Sequence, residues 1–333
     1  MHAFRSHRLA KAIPAIAAAS LMSLALAACG GESDVGAAGE KTIKVGMVCS
    51  GITPLTAQIA INAKTFPEGL KTEKICFDAG SEAVQALIGG SLDVFMGSVE
   101  HILSTQAQGL PTKAYAGINN RAPYSLLTKA DSKVKSVGDL DGKTVGVTSP
   151  GSLSDTILRA GAEENNLDYG SMRVIGAGGG TPMQLAIDKG QVAAGMLNDP
   201  QATEMVTSGN FRTVWEPKFD YASIVVVSNS KWVAKNGDTM RDFLQGLKDA
   251  DDKAQADHAF AVKAIEKDGY KVSPEALKIA IEHGLAAVPP EFKVTEEVYA
   301  STVDTLMKAG VVKKGAGAPF DQVFDFSYLP NGS

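Results

Sequence analysis

The sequence predicts an α/β protein of two lobes, each a mainly parallel sheet flanked by helices, with the lobes joined by a hinge of two chain crossings. Three observations carry this reading. Short apolar strands alternate with helical stretches from Lys41 onward; the same rhythm restarts after a break near residues 119–123; and one further strand is followed by an almost wholly helical remainder. Alternation of strand and helix implies parallel neighbours, because a parallel pair needs a connection of a dozen or more residues and a helix supplies it.

The elements follow in chain order. IKVGMV (43–48) is an apolar run, broken only by Lys44, that reads as a strand. A helix over 54–65 comes next, with Pro54 at a position where proline is favoured in a first turn. KICF (74–77), a helix over 81–89, LDVFMG (92–97), a helix over 99–108 and PTKAYAGI (111–118) complete the first set. The second set has strands KTVGVT (143–148), MRVIGA (172–177), VAAGML (192–197) and FRTVW (211–215), with helices near 152–163, 181–189 and 199–208. ASIVVVSN (222–229) reads as a last strand. Helices follow it, broken at Gly237, Gly269, Ser273 and Pro289-Pro290. This tail has no sheet of its own, so it is expected to return to the first lobe. The expected division is residues 42–120 with 223–333 as lobe 1 and residues 121–222 as lobe 2.

The first 28 residues are a different matter. Arg5, Arg8 and Lys11 precede an Ala-rich apolar run that ends in LALAAC, which is the order of a secretory leader. LALAAC resembles a lipoprotein box, making Cys29 the lipidated first residue and residues 29–41 a flexible tether. The expected location is therefore outside the cytoplasm, anchored to a membrane by lipid.

The formal net charge is −5, and −8 once the three leader bases are removed. An acidic chain without a basic run longer than two is a poor partner for nucleic acid, whose binding rests on Lys and Arg at phosphates. Of the three cysteines, Cys29 is used by the lipid. Cys49 and Cys76 end two strands joined by one helical segment, so a right-handed crossover can make them neighbours and a disulfide is expected; two separate buried thiols are the alternative. No His/Cys pair has metal-ligand spacing, and no metal is expected.

In open parallel sheets a ligand lies beyond the carboxyl ends of the strands, where helix N-termini also point. Those turns are CSGITPLT (49–56), DAGSEA (78–83), MGSVEH (96–101), TSPGSLSD (148–155), GAGGGTP (176–182) and NDPQA (198–202), all rich in Gly, Ser, Thr, Asn or Asp. Their unsatisfied N–H groups favour an anion. Arg121 and Tyr124, at the first crossing, are the candidate charged and aromatic contacts from the hinge. GDLDGKT (138–144) has one residue too few for a P-loop and leads into a strand. GAGGGT (176–181) places Thr181 where a dinucleotide turn needs its third glycine. The inventory for catalysis is poor: no GxSxG, no HExxH, no Cys near a His, and His101 alone in the cleft region. Neither an enzyme nor a cofactor is expected.

GSEAVQALIGGSLDVFMGS (80–98), AQGLPTKAYAGI (107–118), KSVGDLDGKTVGVTSPGSLSD (135–155), AIDKGQVAAGMLNDP (186–200) and FDQVFDFSYL (320–329) resemble, in that order, the substrate-binding proteins of ABC importers, in the nitrate, sulfonate, taurine and thiamine-pyrimidine-precursor group. The resemblance implies a type II periplasmic-binding fold that closes on a small solute and presents it to a membrane permease with its cytoplasmic ATPase. By position it places ligand contacts at Thr53, Pro54, Gly97, Ser98, Ser149, Gly151, Ser152, Gly179, Gly180, Thr181, Asn198 and Asp199. The chain departs from the pattern after its first helix, where TFPEGLKTEKICF is compact. The same group holds eukaryotic thiamine-pyrimidine synthases, but their Cys-rich motif is absent here. A lipoprotein that senses a solute or scaffolds a complex without transport shares every one of these features. A monomer is expected.

Overall fold

The computed structural model describes residues 41–313 and 317–330. The leader, the lipidation at Cys29 and nearly all of the tether lie outside the described residues.

Among these, the first sheet holds β1 (Lys41–Val48), β2 (Leu70–Phe77), β3 (Val94–Gly97), β4 (Thr112–Arg121) and β10 (Asp220–Asn229) in the order β2-β1-β3-β10-β4. The second holds β5 (Tyr124–Lys129), β6 (Thr144–Val147), β7 (Arg173–Gly176), β8 (Ala194–Asn198) and β9 (Phe211–Trp215) in the order β7-β6-β8-β5-β9. In each sheet one strand runs against the rest: β10 pairs antiparallel with both β3 and β4, and β5 with both β8 and β9. The reason is the route of the chain. β4 leaves the first sheet at its carboxyl edge, so the chain enters the second sheet at the edge facing the first and must run away from it; β10 repeats the manoeuvre in the opposite direction. The two crossings are the Arg121-to-Tyr124 step and residues 216–219.

Among the described residues twelve helices accompany the sheets: α1 (Leu55–Ala63), α2 (Gly80–Ile88), α3 (Val99–Ala107), α4 (Leu153–Glu164), α5 (Thr181–Asp188), α6 (Gln201–Thr207), α7 (Ser230–Lys235), α8 (Gly237–Ala256), α9 (His258–Ile265), α10 (Pro274–Leu285), α11 (Glu296–Lys308) and α12 (Phe320–Val323). Ile43, Val45, Met47, Val94, Val225 and Val227 are fully buried at the centre of the first sheet. Helices α8 and α9 pack on α1, α11 on β10, and α12 on β4. Beyond α12 the tail adds to the free side of β4, where the Asp325 N–H donates to the Ala114 carbonyl at 2.9 Å. In the second lobe Leu127, Met183, Ile187, Met205 and Phe211 form a separate buried cluster.

Three expectations need adjusting. The segment at 124–129 forms β5, which periodicity did not mark. β2 begins at Leu70, four residues before KICF, with Lys71 and Glu73 exposed on an edge strand, where charged side chains discourage pairing with other chains. The tail packs on the first lobe but not there alone, since α10 also touches α6 and α11 also touches α4.

Candidate functional site

The carboxyl ends of β1, β3 and β6 and the N-termini of α1, α2, α3 and α4 converge on one small cavity between the lobes. Its volume is about 30 Å³, room for about two or three water-sized groups. Thr53, Ser98, Thr148, Ser152, His101 and Tyr124 supply its polar lining, and Val48, Phe95, Met96, Leu153 and Ile224 its apolar wall. Pro54, Gly80 and Gly97 complete the lining. Pro54, Ser98 and Ser152 occupy the N-cap positions of α1, α3 and α4, and Gly80 opens α2. No Lys, Arg, Asp or Glu stands among the lining residues.

The polar groups are held by short-range bonds. Thr148, Ser152 and Ser154 form a triangle of hydroxyls at 2.8, 2.9 and 3.0 Å, and the Thr148 N–H donates to Ser154 Oγ at 2.9 Å. Ser98 and His101 lock the first turn of α3: the Ser98 N–H donates to His101 Nδ1 at 3.2 Å, and the His101 N–H to the Ser98 carbonyl at 3.1 Å. Burial pushes the His101 pKa below the ordinary histidine value, against the opposing pull of Glu100. Glu100 is itself buried and accepts from the Tyr221 hydroxyl at 2.8 Å. Burial first, and the Glu100 carboxylate second, raise the phenol pKa of both Tyr124 and Tyr221. Both phenols therefore stay protonated near neutrality.

A clasp closes one side of the cavity. The Asn198 Nδ2 of lobe 2 donates to Thr53 Oγ1 of lobe 1 at 2.7 Å, and the Ile52 N–H donates to the Asp199 carbonyl at 2.9 Å. The approach demands glycine at 51, where a Cβ would lie 2.4 Å from Asn198 Nδ2. It demands glycine at 179 as well, where a Cβ would lie 2.3 Å from Ser50 Oγ. Further out, the Ser273 N–H and hydroxyl both donate to Glu204 Oε2, at 2.8 and 2.7 Å, and His283 Nδ1 lies 3.1 Å from Asp199 Oδ2. That carboxylate, chiefly by its hydrogen bond, raises the His283 pKa.

Of the residues singled out in the sequence, Thr53, Pro54, Gly97, Ser98, Tyr124 and Ser152 line the cavity. Asn198, Asp199, Gly179 and Gly180 belong to the clasp, with Gly180 at φ +55° and its Cβ position 3.0 Å from the Ser50 carbonyl. Arg121, Gly151 and Thr181 are exposed, and Ser149 is half-buried without lining the cavity. Arg121 stands outside because it ends β4 paired with Asp220 at the sheet margin. Gly151 turns outward, its N–H held by Asp155 Oδ2 at 2.8 Å. Gly80 and Thr148 fall within the turns DAGSEA and TSPGSLSD but carry no signal there that marks them as contacts, and neither the apolar wall nor the isolated His101 has one in the sequence. Cys49 and Cys76 are joined by a disulfide, their Cα atoms 5.4 Å apart on the adjacent strand ends of β1 and β2.

The family model described as NMT1/THI5 like matches residues 67–259, more than half of the chain. The chain belongs to the NMT1/THI5-like family. That membership agrees with the group that the sequence blocks resemble. Among solved structures, this family member is similar to a protein of Bordetella bronchiseptica RB50, with 24% identity and a TM-score of 0.79 over 86% of this chain and 95% of the other. It is also similar to the alkanesulfonate-binding protein SsuA of Xanthomonas axonopodis pv. citri bound to MOPS, with 22% identity and a TM-score of 0.66 over 84% and 96%. The nitrate-binding protein NrtA of Synechocystis PCC 6803 aligns with 12% identity and a TM-score of 0.69 over 87% of each chain. These likenesses establish the two-lobed periplasmic-binding fold. No curated protein sequence matches the chain.

Proposed function

We propose that the protein is the extracytoplasmic solute-binding component of an ABC importer, taking a small anion of the sulfonate, carboxylate or nitrate kind between its lobes and delivering it to a membrane permease. One observation carries the choice of ligand: four helix N-termini, three from lobe 1 and one from lobe 2, meet at a cavity lined by no Lys, Arg, Asp or Glu, with His101 its one titratable imidazole. Each start presents free N–H groups and part of a positive charge, contributing about 0.3–1 kcal/mol toward an anion. The apolar wall of Phe95, Met96, Leu153 and Ile224 suits a short hydrocarbon portion on a sulfonate or carboxylate. Nitrate- and sulfonate-binding proteins of the same fold support the reading, as does a disulfide suited to an oxidising compartment. Export and lipid anchoring at Cys29 rest on the leader and the LALAAC box. Capture follows from contacts made by both lobes together, Thr53 and Ser98 on one side with Ser152 and Asn198 on the other; a solute touching one lobe only binds without closing it.

The test is thermal unfolding against nitrate, bicarbonate, alkyl and aryl sulfonates, aromatic carboxylates and pyrimidines. A solute at a hundred times its dissociation constant stabilises the native state by about 2.7 kcal/mol. Stabilisation by one class of oxyanion is expected; stabilisation by neutral pyrimidines alone overturns the ligand class, and silence across the panel favours a sensor or scaffold.

A further inference from the structure

A buried hydrogen-bond donor with nothing to receive it is rare in folded proteins, because it gives up hydration without a replacement. His101 holds one. Its Nδ1 accepts from the Ser98 backbone N–H at 3.2 Å and lies 3.0 Å from the Ser98 hydroxyl. A ring nitrogen that accepts from an amide does not itself carry the proton, so the neutral imidazole bears its hydrogen on Nε2. Nε2 is buried and has no partner among the described residues, and the residue as a whole is only 5% exposed.

The ring is fixed in this attitude from three directions. Ser98 holds Nδ1, the Phe95 ring tilts against the imidazole at a centroid distance of 5.3 Å, and the start of α2 presses on the opposite edge. At Gly80 a Cβ would lie 2.8 Å from Cε1 and 3.2 Å from Nε2, so only glycine leaves space for the donor edge.

Position adds a second, independent observation. Outside the inner cavity lies a groove of about 910 Å³ between α2 and α3 on one side and α4 on the other. His101 is the one described residue that lines both spaces. Glu100, its neighbour, lines the outer groove and not the cavity.

We propose that His101 is the specificity-determining donor of the site, its Nε2–H giving a directed hydrogen bond to an oxygen of the captured anion at the partition between cavity and groove. The proposal rests on the solute-binding reading above. It selects ligands by a fixed acceptor and not by charge alone: the helix starts attract any small anion, whereas the imidazole rewards one whose oxygen reaches the partition when the rest of the solute sits on the apolar wall.

The test uses the full chain with ¹⁵N-labelled histidine rings at pH 7.5 and four probes: sodium nitrate, ethanesulfonate, acetate and benzoate. In the free protein, His101 is expected to show its protonated nitrogen at Nε2; protonation at Nδ1 overturns the proposal. The probe that stabilises the wild type is expected to shift the Nε2 resonance and to bind His101→Met roughly tenfold or more weakly, the range for one hydrogen bond to a charged group. His101→Gln, whose amide places an N–H near the same point, is expected to recover most of that loss. Equal binding by His101→Met with an unmoved Nε2 signal overturns the role of His101 and leaves the solute reading standing. Binding by none of the four removes the anion reading and this proposal with it. Should the Met variant not fold, the wild-type Nε2 titration decides alone.

Discussion

Ser152 lines the cavity between the lobes, at the N-cap of α4 and in the hydroxyl triangle with Thr148 and Ser154. Ser152→Phe fills a cavity that has room for only a few small groups, so binding of the stabilising anion should be lost. The fold should survive with a melting point lowered by the strain of overpacking, about 1–3 kcal/mol. Calorimetric titration beside a thermal melt checks both halves; unchanged affinity would move the site elsewhere. The two histidines at the lobe boundary give opposite pH signatures. His101 has its pKa lowered by burial, so above the unperturbed value of 6.5 it is neutral in both folded and unfolded chains. Below that value the unfolded chain takes up a proton that the folded one refuses, and stability falls as the pH drops from 6.5 through the depressed pKa. His283 has its pKa raised by Asp199, so its contribution is complete below 6.5 and fades as the pH rises through the raised value. The latter effect is small, because the His283 side chain is 64% exposed and its pair with Asp199 is screened by water. Melting curves from pH 5 to 9 should show the acid-side loss vanish in His101→Met and the alkaline-side loss vanish in His283→Gln.

At the scale of elements, the disulfide ties the ends of β1 and β2 across a sequence separation of 27 residues. Closing a loop of that size in the unfolded chain is worth about 3–4 kcal/mol in the chain-entropy account. Cys49→Ser is expected to lower stability by that order in denaturant titration, and two free thiols in unreduced wild type would remove the bridge. The strands β3, β6, β8 and β10 are legible from their apolar runs, the mark of burial on both faces, and β1 from one interrupted only by the exposed Lys44. β5 was not. Tyr124, Leu126, Leu127 and Thr128 are buried in it, but the segment follows Pro123 and sits where a hinge was expected. Its strand character comes from pairing with β8 and β9, far along the chain. The site was legible in the same uneven way. Turns at helix starts are marked by Gly, Pro and Ser, which locates the segments, while it is the family resemblance that points within them to Thr53, Pro54, Gly97, Ser98 and Ser152. Which turn residues face inward is a matter of backbone direction, and that separates Ser152 from Ser149 and Gly151, two neighbours of the same composition.

For the whole molecule, the clasp brings the two lobes into direct contact, and we expect it to set how far they can approach. Gly51 on one side and Asn198 on the other are so close that one added carbon at residue 51 occupies the place of the Asn198 amide, with all three terminal atoms of that side chain within 2.6 Å. Asn198 cannot simply swing away without giving up its bond to Thr53 Oγ1 and leaving both groups buried without partners. The lower-energy response is for the lobes to part, since the crossings at residues 121–124 and 216–219 are short segments able to absorb a hinge rotation. Gly51→Val should therefore hold the protein open: a larger radius of gyration in small-angle scattering, unresponsive to a stabilising anion that compacts the wild type, and binding weakened because only one lobe makes contact. Adding Asn198→Gly to Gly51→Ala removes the obstructing amide and should restore compaction even where affinity stays low. If Gly51→Val is as compact as wild type and still binds, the clasp does not limit closure and capture depends on the cavity contacts alone.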